Sequence, residues 1–208
     1  GGRVRGGLTG TSTISPSNLE NGRPYFSRRI GLSANGQPVD LNAGTKLSGR
    51  IGRWNVGALA IQQEQYGDIN ASDILVTRLS TNVLAESAVG VIATSGDPRS
   101  NLNNTLVGFD FLYNNTRLAN NRSLQGEAWY QESNTEGVDE NQRAYGLRLT
   151  SPNRLGWRGG VGVKQIEENF SPALGYVSRS GIRDHTLEAG YGLRVSHPFF
   201  RTLYFGMD

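Results

Sequence analysis

The stretch TLVGFDFLY, residues 105–113, puts Val107, Phe109, Phe111 and Tyr113 at one parity and Leu106, Gly108, Asp110 and Leu112 at the other. Successive side chains of a β-strand point to opposite faces, so this segment reads as a strand with one greasy face and one mixed face. A helix would scatter the four residues of the greasy set around its axis.

The same texture recurs on both sides of this stretch. Residues 143–150 set Tyr145, Leu147 and Leu149 against Ala144, Gly146, Arg148 and Thr150. Residues 157–166 set Trp157, Gly159, Val161 and Val163 against Arg158, Gly160, Gly162 and Lys164. Residues 185–196 set Leu187, Ala189, Tyr191, Leu193 and Val195 against Thr186, Glu188, Gly190, Gly192 and Arg194. Further strands are expected over 43–51, 54–63, 73–81, 87–95, 123–132 and 199–207, which makes about ten in all. Residues 1–41 are rich in Gly, Ser, Asn and Pro without sustained period, and are expected to form a loop, connecting or plug-like segment. The stretch Asn35, Gly36, Gln37, Pro38 within it is a turn signal.

The connections alternate in length. Those over 52–53, 82–86, 151–156 and 196–198 are short, while those over 64–72, 96–104, 133–141 and 167–184 are long; 114–122 is intermediate and breaks the rhythm. Short turns at one end and long loops at the other are the habit of transmembrane barrels. Trp54, Tyr113, Trp157 and Phe199 stand beside the shorter turns and Tyr130 and Tyr145 beside a long loop, as interfacial aromatic girdles would. β-Propensity alone also enriches strands in aromatics.

Composition removes several classes. The 208 residues are 36% hydrophobic, yet no apolar run approaches the roughly 20 residues that a membrane helix needs. Cysteine is absent, which leaves no disulfide framework, thiolate metal site or cysteine nucleophile. The net charge is +3, and the arginines are dispersed among acids rather than gathered into the stripe that nucleic-acid binding requires. The chain opens Gly1, Gly2, Arg3 and reads as an excerpt of a longer protein.

Periodicity cannot say which face meets water. In a soluble sandwich the face carrying Phe109, Leu147, Val161 and Leu193 points into a core; in a membrane barrel it points to lipid. Glycines on the mixed face favour the membrane orientation, because they weaken a solvated sheet but make room in a lumen crowded with charge. The fold expected is therefore all-β, an antiparallel up-and-down transmembrane β-barrel, with residues 42–208 supplying about ten strands of a larger barrel.

Four stretches, PYFSRRIGL (24–32), AGTKLSGRIGRW (43–54), LVTRLSTNVLAESAVGVIAT (75–94) and FSPALGYVSRSGIRD (170–184), resemble the barrel domain catalogued as domain of unknown function 5916. That domain often follows one like carbohydrate-binding module family 9. The resemblance implies a β-barrel in the bacterial outer membrane and carries no assigned activity. No carbohydrate-binding module is visible in this sequence.

No serine nucleophile elbow, P-loop or paired-histidine metal motif is present, and no cofactor or metal site is expected. His185 and His197 read as strand-boundary residues. The candidate lumen-lining residues are Arg78, Asp110, Glu127, Arg148, Arg158, Lys164, Glu188 and Arg194, read as salt-bridged groups that fill or bias a barrel interior. Two of the carboxylates at a fixed separation would alternatively suit glycoside hydrolysis. Arg28 and Arg29, and likewise Arg179 and Arg183, are candidates either to clamp an anion or to pair structurally. The function expected is that of a channel, transport or surface-anchoring component rather than an enzyme, with a link to carbohydrate handling suggested by the module that often precedes the domain it resembles. Its partners would be outer-membrane lipid, lipopolysaccharide and a small solute or saccharide, with no nucleic acid. The rival is a secreted or surface all-β glycan-active enzyme or glycan-binding protein.

Overall fold

The computed structural model of the chain describes residues 22–195 and 202–207. The first part of the expected 1–41 segment, the expected turn at 196–198 with His197, and the start of the expected tenth strand at 199–201 lie outside the described residues. Ten strands form one antiparallel sheet whose spatial order is the chain order. They are β1 (Leu41–Ile51), β2 (Trp54–Gln63), β3 (Ser72–Val83), β4 (Ser87–Ser95), β5 (Asn104–Leu118), β6 (Arg122–Thr135), β7 (Arg143–Ser151), β8 (Gly156–Ile166), β9 (Ile182–Arg194) and β10 (Thr202–Met207). β1 and β10 are the two edges, so the sheet is not closed into a barrel. Helix among the described residues amounts to two 3-10 turns, Ser27–Arg29 and Ala119–Asn121, and no helix is long and apolar enough to cross a membrane.

The expected break in the loop rhythm at 114–122 is not found. β5 continues to Leu118 and β6 begins at Arg122, leaving only residues 119–121 as the turn, with Asn120 and Asn121 at φ 61° and 54°. Asparagine tolerates this left-handed backbone, which allows so tight a reversal. The polar run Asn114, Asn115, Thr116 hid the strand, because pairing such as Asn114 with Gln125 needs only backbone groups. Short turns at 52–53, 84–86, 119–121 and 152–155 thus alternate with long connections at 64–71, 96–103, 136–142 and 167–181. The last of these is shorter than expected, since β9 starts at Ile182, opposite Ile166.

The two faces of the sheet differ in kind. One face, here called inner, is covered near the long-loop end by residues 22–40 and by the 167–181 connection. Ile74, Val76, Ile92, Leu106, Trp129, Ala144 and Ile166 of the strands bury against Phe170 and Leu174 there, with Tyr25, Ile30 and Val177 packed alongside. This is the apolar core of the described residues, and burial of about 25 cal/mol per Å² of such surface is what holds the covering segments down.

Strand side chains then fasten the cover by its backbone. Gln131 Nε2 donates to the Gly22 carbonyl at 2.9 Å, and Gln63 accepts from the Gly31 amide at 2.9 Å while donating to the Pro98 carbonyl. Asn104 donates to the Ser171 carbonyl and accepts from the Ala173 amide. Arg23 and Tyr176 exchange two backbone bonds. The expected turn at 35–38 is present: Gly36 has φ 76°, and the Ser33 amide donates to the Gln37 carbonyl at 2.8 Å.

Candidate functional site: the polar inner face

Beyond the apolar cover, towards the short turns, the inner face becomes polar. Strand alternation brings one residue in two to this face, and register then decides which charges meet. Arg78 on β3 pairs with Asp110 on β5, its Nη2 donating to Oδ2 at 2.8 Å. The pair spans β4 because Gly90, opposite Asp110, offers no side chain; a Cβ there would run into the Arg78 guanidinium. Gly90→Val is therefore expected to displace Arg78 and to cost about 1–3 kcal/mol, the usual penalty of overpacking. Urea unfolding of the reconstituted protein, with Gly57→Val as the comparison, reads this directly; Gly57 has only the Arg78 Cβ nearby, at 3.9 Å.

A second pair repeats the device. Arg148 on β7 reaches Glu188 on β9 at 2.9 Å, across β8, where Gly162 stands opposite Arg148 and Gly160 opposite Glu188. The two side chains are 9% and 14% exposed. Glu127, also buried, lies directly opposite Arg148 on the other flank. Lys164 is buried and meets Asp184 at 3.0 Å. Asp184 was not among the sequence candidates, since the strand was expected to begin at His185; its parity with Glu188 was the available signal.

The remaining candidates are placed differently. Arg158 lies 4.8 Å above the Tyr204 ring, a cation–π contact, and that ring covers the two glycines Gly190 and Gly206. Arg194 sits exposed at the end of β9 on the same face as Glu188. Arg28 and Arg29 do not act as one clamp: Arg28 is exposed, while Arg29 Nε donates to the Gly175 carbonyl at 2.9 Å. Arg179 and Arg183 are separated too. Arg179 is exposed in the connection, whereas Arg183 is on the outer face and donates twice to Gln165 Oε1. Arg99, also missed, donates to the Leu32 carbonyl, and burial followed by the nearby Arg29 charge lowers its pKa from the ordinary guanidinium value.

The outer face is apolar through its middle. Val91 pairs with Phe109, Leu147 with Val163, Leu149 with Val161, and Val161 with Leu187, all large and mostly exposed. Asp73, Glu132, Arg143, Arg183 and His185 of this face stand towards the long loops. Tyr130 and Tyr145 lie just inside that rim, donating to Glu132 and Gln165. At the opposite rim Trp157 meets Tyr191 edge-on, with ring centroids 5.1 Å apart. From Trp157 to Gln165 the strand covers about 26 Å at about 3.3 Å per residue. Small residues Gly126 and Ala128 on β6 leave a shallow groove of about 670 Å³ in this band, walled by Phe111, Leu147, Leu149 and Leu187.

Compared with family models, with curated proteins and with solved structures, the chain matches none.

Proposed function

We propose that this chain is part of the wall of a bacterial outer-membrane β-barrel, with its outer face against lipid and lipopolysaccharide and its inner face lining a lumen, and that it serves passage or anchoring rather than bond chemistry. One observation carries the reading: burial is inverted. Leu187 is 70% exposed and Val107 62%, while Lys164 is 2% exposed and Glu127 6%. Water would penalise that arrangement, whereas hydrocarbon outside and fixed ion pairs inside remove the penalty. The two aromatic rims, the alternation of short and long connections, and the resemblance to domain of unknown function 5916 support the same reading. Lipid does not accept unpaired backbone, so in the membrane β1 and β10 pair with further strands. A small saccharide or other solute is the cargo that this reading assigns to the lumen, and sugar handling would come from a linked domain. Glycoside hydrolysis is the weaker reading, because Asp110 and Glu188 are each held by an arginine.

Spin labels at alternate positions over 107–113 and 187–195 of the intact protein in lipid test this. Labels at 107, 109, 111, 187 and 193 are expected to collide with oxygen dissolved in the bilayer, and those at 110 and 194 with a water-soluble relaxant. Inaccessibility of the first set to both agents, with the second set in bulk water, would mean a soluble sheet and would restore the glycan-active rival.

A further inference from the structure

Three ion pairs neutralise charge on the inner face, Arg78 with Asp110 and Arg148 with Glu188 in its middle and Lys164 with Asp184 towards the long loops. Among the described residues the strands also present Lys46, Arg50, Arg158 and Arg194 to this face, and Glu127, opposite Arg148, is the one further acid there. Lys46 and Arg50 take their places by pairing opposite Leu59 and Asn55 of β2. Positive charge is thus in excess, and it is not spread evenly along the strands.

Arg50 and Arg194 at the ends of β1 and β9, and Arg158 near the start of β8, all lie at the short-turn end of the sheet. The turns add Arg53 and Arg154, both exposed. Glu86 is the one acid of the described short turns, and it is already engaged: it accepts from the Thr116 amide and hydroxyl and from Arg117 at 3.0 Å. Those bonds, the Thr116 amide first, hold its carboxyl below the usual carboxylate range. Two of the long connections have the opposite sign, with Glu136, Asp139 and Glu140 in one and Glu167 and Glu168 against Arg179 in the other.

We propose that the lumen is anion-selective and that its selective region is the arginine-lined mouth at the short-turn end, which would admit small anionic solutes. This rests on the barrel reading given above. Walls of low dielectric constant focus the field of uncompensated charges into the aqueous space between them, so fixed cations there raise the local concentration of anions and repel cations. Guanidinium groups suit carboxylate and phosphate solutes in particular, because each offers a planar fork of donors. The acidic loops at the other end do not oppose this inside the lumen, since residues 22–40 and the 167–181 connection cover the inner face between the two.

The test is the reversal potential of the full-length protein in a planar bilayer under a potassium chloride gradient. The expected result is a chloride-over-potassium permeability ratio above unity that falls several-fold in Arg158→Gln/Arg194→Gln and inverts in Arg158→Glu/Arg194→Glu. The Gln variant removes charge without introducing repulsion, so it keeps the test valid if the Glu variant fails to fold. Step currents that are cation-selective, or a ratio unmoved by both variants, overturn the anion proposal and leave the channel standing. Absence of any conductance from protein whose spin labels report lipid overturns the channel and the anion proposal together, while the barrel itself remains.

Discussion

Leu187→Arg is expected to destabilise the reconstituted protein by about 2–4 kcal/mol, the cost of a cationic side chain at the midplane of a barrel's lipid face. Leu187 is near the middle of β9, faces outward opposite Val161, and is 70% exposed. At an exposed position of a soluble sheet the same change would fall within about 0.5 kcal/mol, so the two environments predict effects of different size. The neighbouring Thr186→Arg supplies the control. Thr186 is on the inner face opposite Gly162, where a new cation meets polar surroundings. Folding yields into lipid vesicles and urea titrations of both variants would separate them. A Leu187→Arg protein as stable as wild type would remove the case for lipid on this face.

Arg148→Ala should be the more damaging change on the inner face, costing about 3–5 kcal/mol as expected for breaking a buried pair. Its loss strands Glu188, whose side chain is 14% exposed, and leaves Glu127 opposite a methyl group. The Arg148→Met/Glu188→Leu double variant is expected to regain most of that stability, because a well-packed apolar pair carries no desolvation penalty. A double-mutant cycle measured by urea unfolding isolates the coupling. Additive single and double effects would show that the two side chains do not stabilise each other. The second acid, Glu127, makes the site more sensitive than Lys164 with Asp184, whose carboxylate is 48% exposed and can rely on water.

Much of the architecture was legible because strand alternation is written locally. Thr105 to Tyr113 shows its two faces in nine letters, and β2 and β4 begin and end where turn residues and the loss of alternation place them. The ends of β5, β6 and β9 were not legible. Asn114 to Leu118 carries no apolar rhythm, yet its backbone finds partners in the 122–125 stretch, and hydrogen-bonded pairing is indifferent to side-chain hydropathy. Asp184 reads as loop for the same reason, which hides it as the partner of Lys164.

Parity alone marks the inner-face residues, and parity is a property of the chain. Their partners are not. Arg78 meets Asp110 across 32 positions and Arg148 meets Glu188 across 40, distances over which only strand register can decide contact. The paired arginines at 28 and 29 and at 179 and 183 looked alike in sequence and separate in space, because Arg29 folds into the covering segment and Arg183 falls on the outer parity of β9.

By itself, then, the sequence determined an all-β chain of about ten alternating strands, with short turns at one end and long loops at the other, since each of these features depends on neighbours a few residues apart. Only the tertiary structure decided which face is covered, which charges pair through which glycines, and that β1 and β10 remain edges. Those depend on strand register and on where residues 22–40 and 167–181 settle, and both are set by contacts between distant parts of the chain.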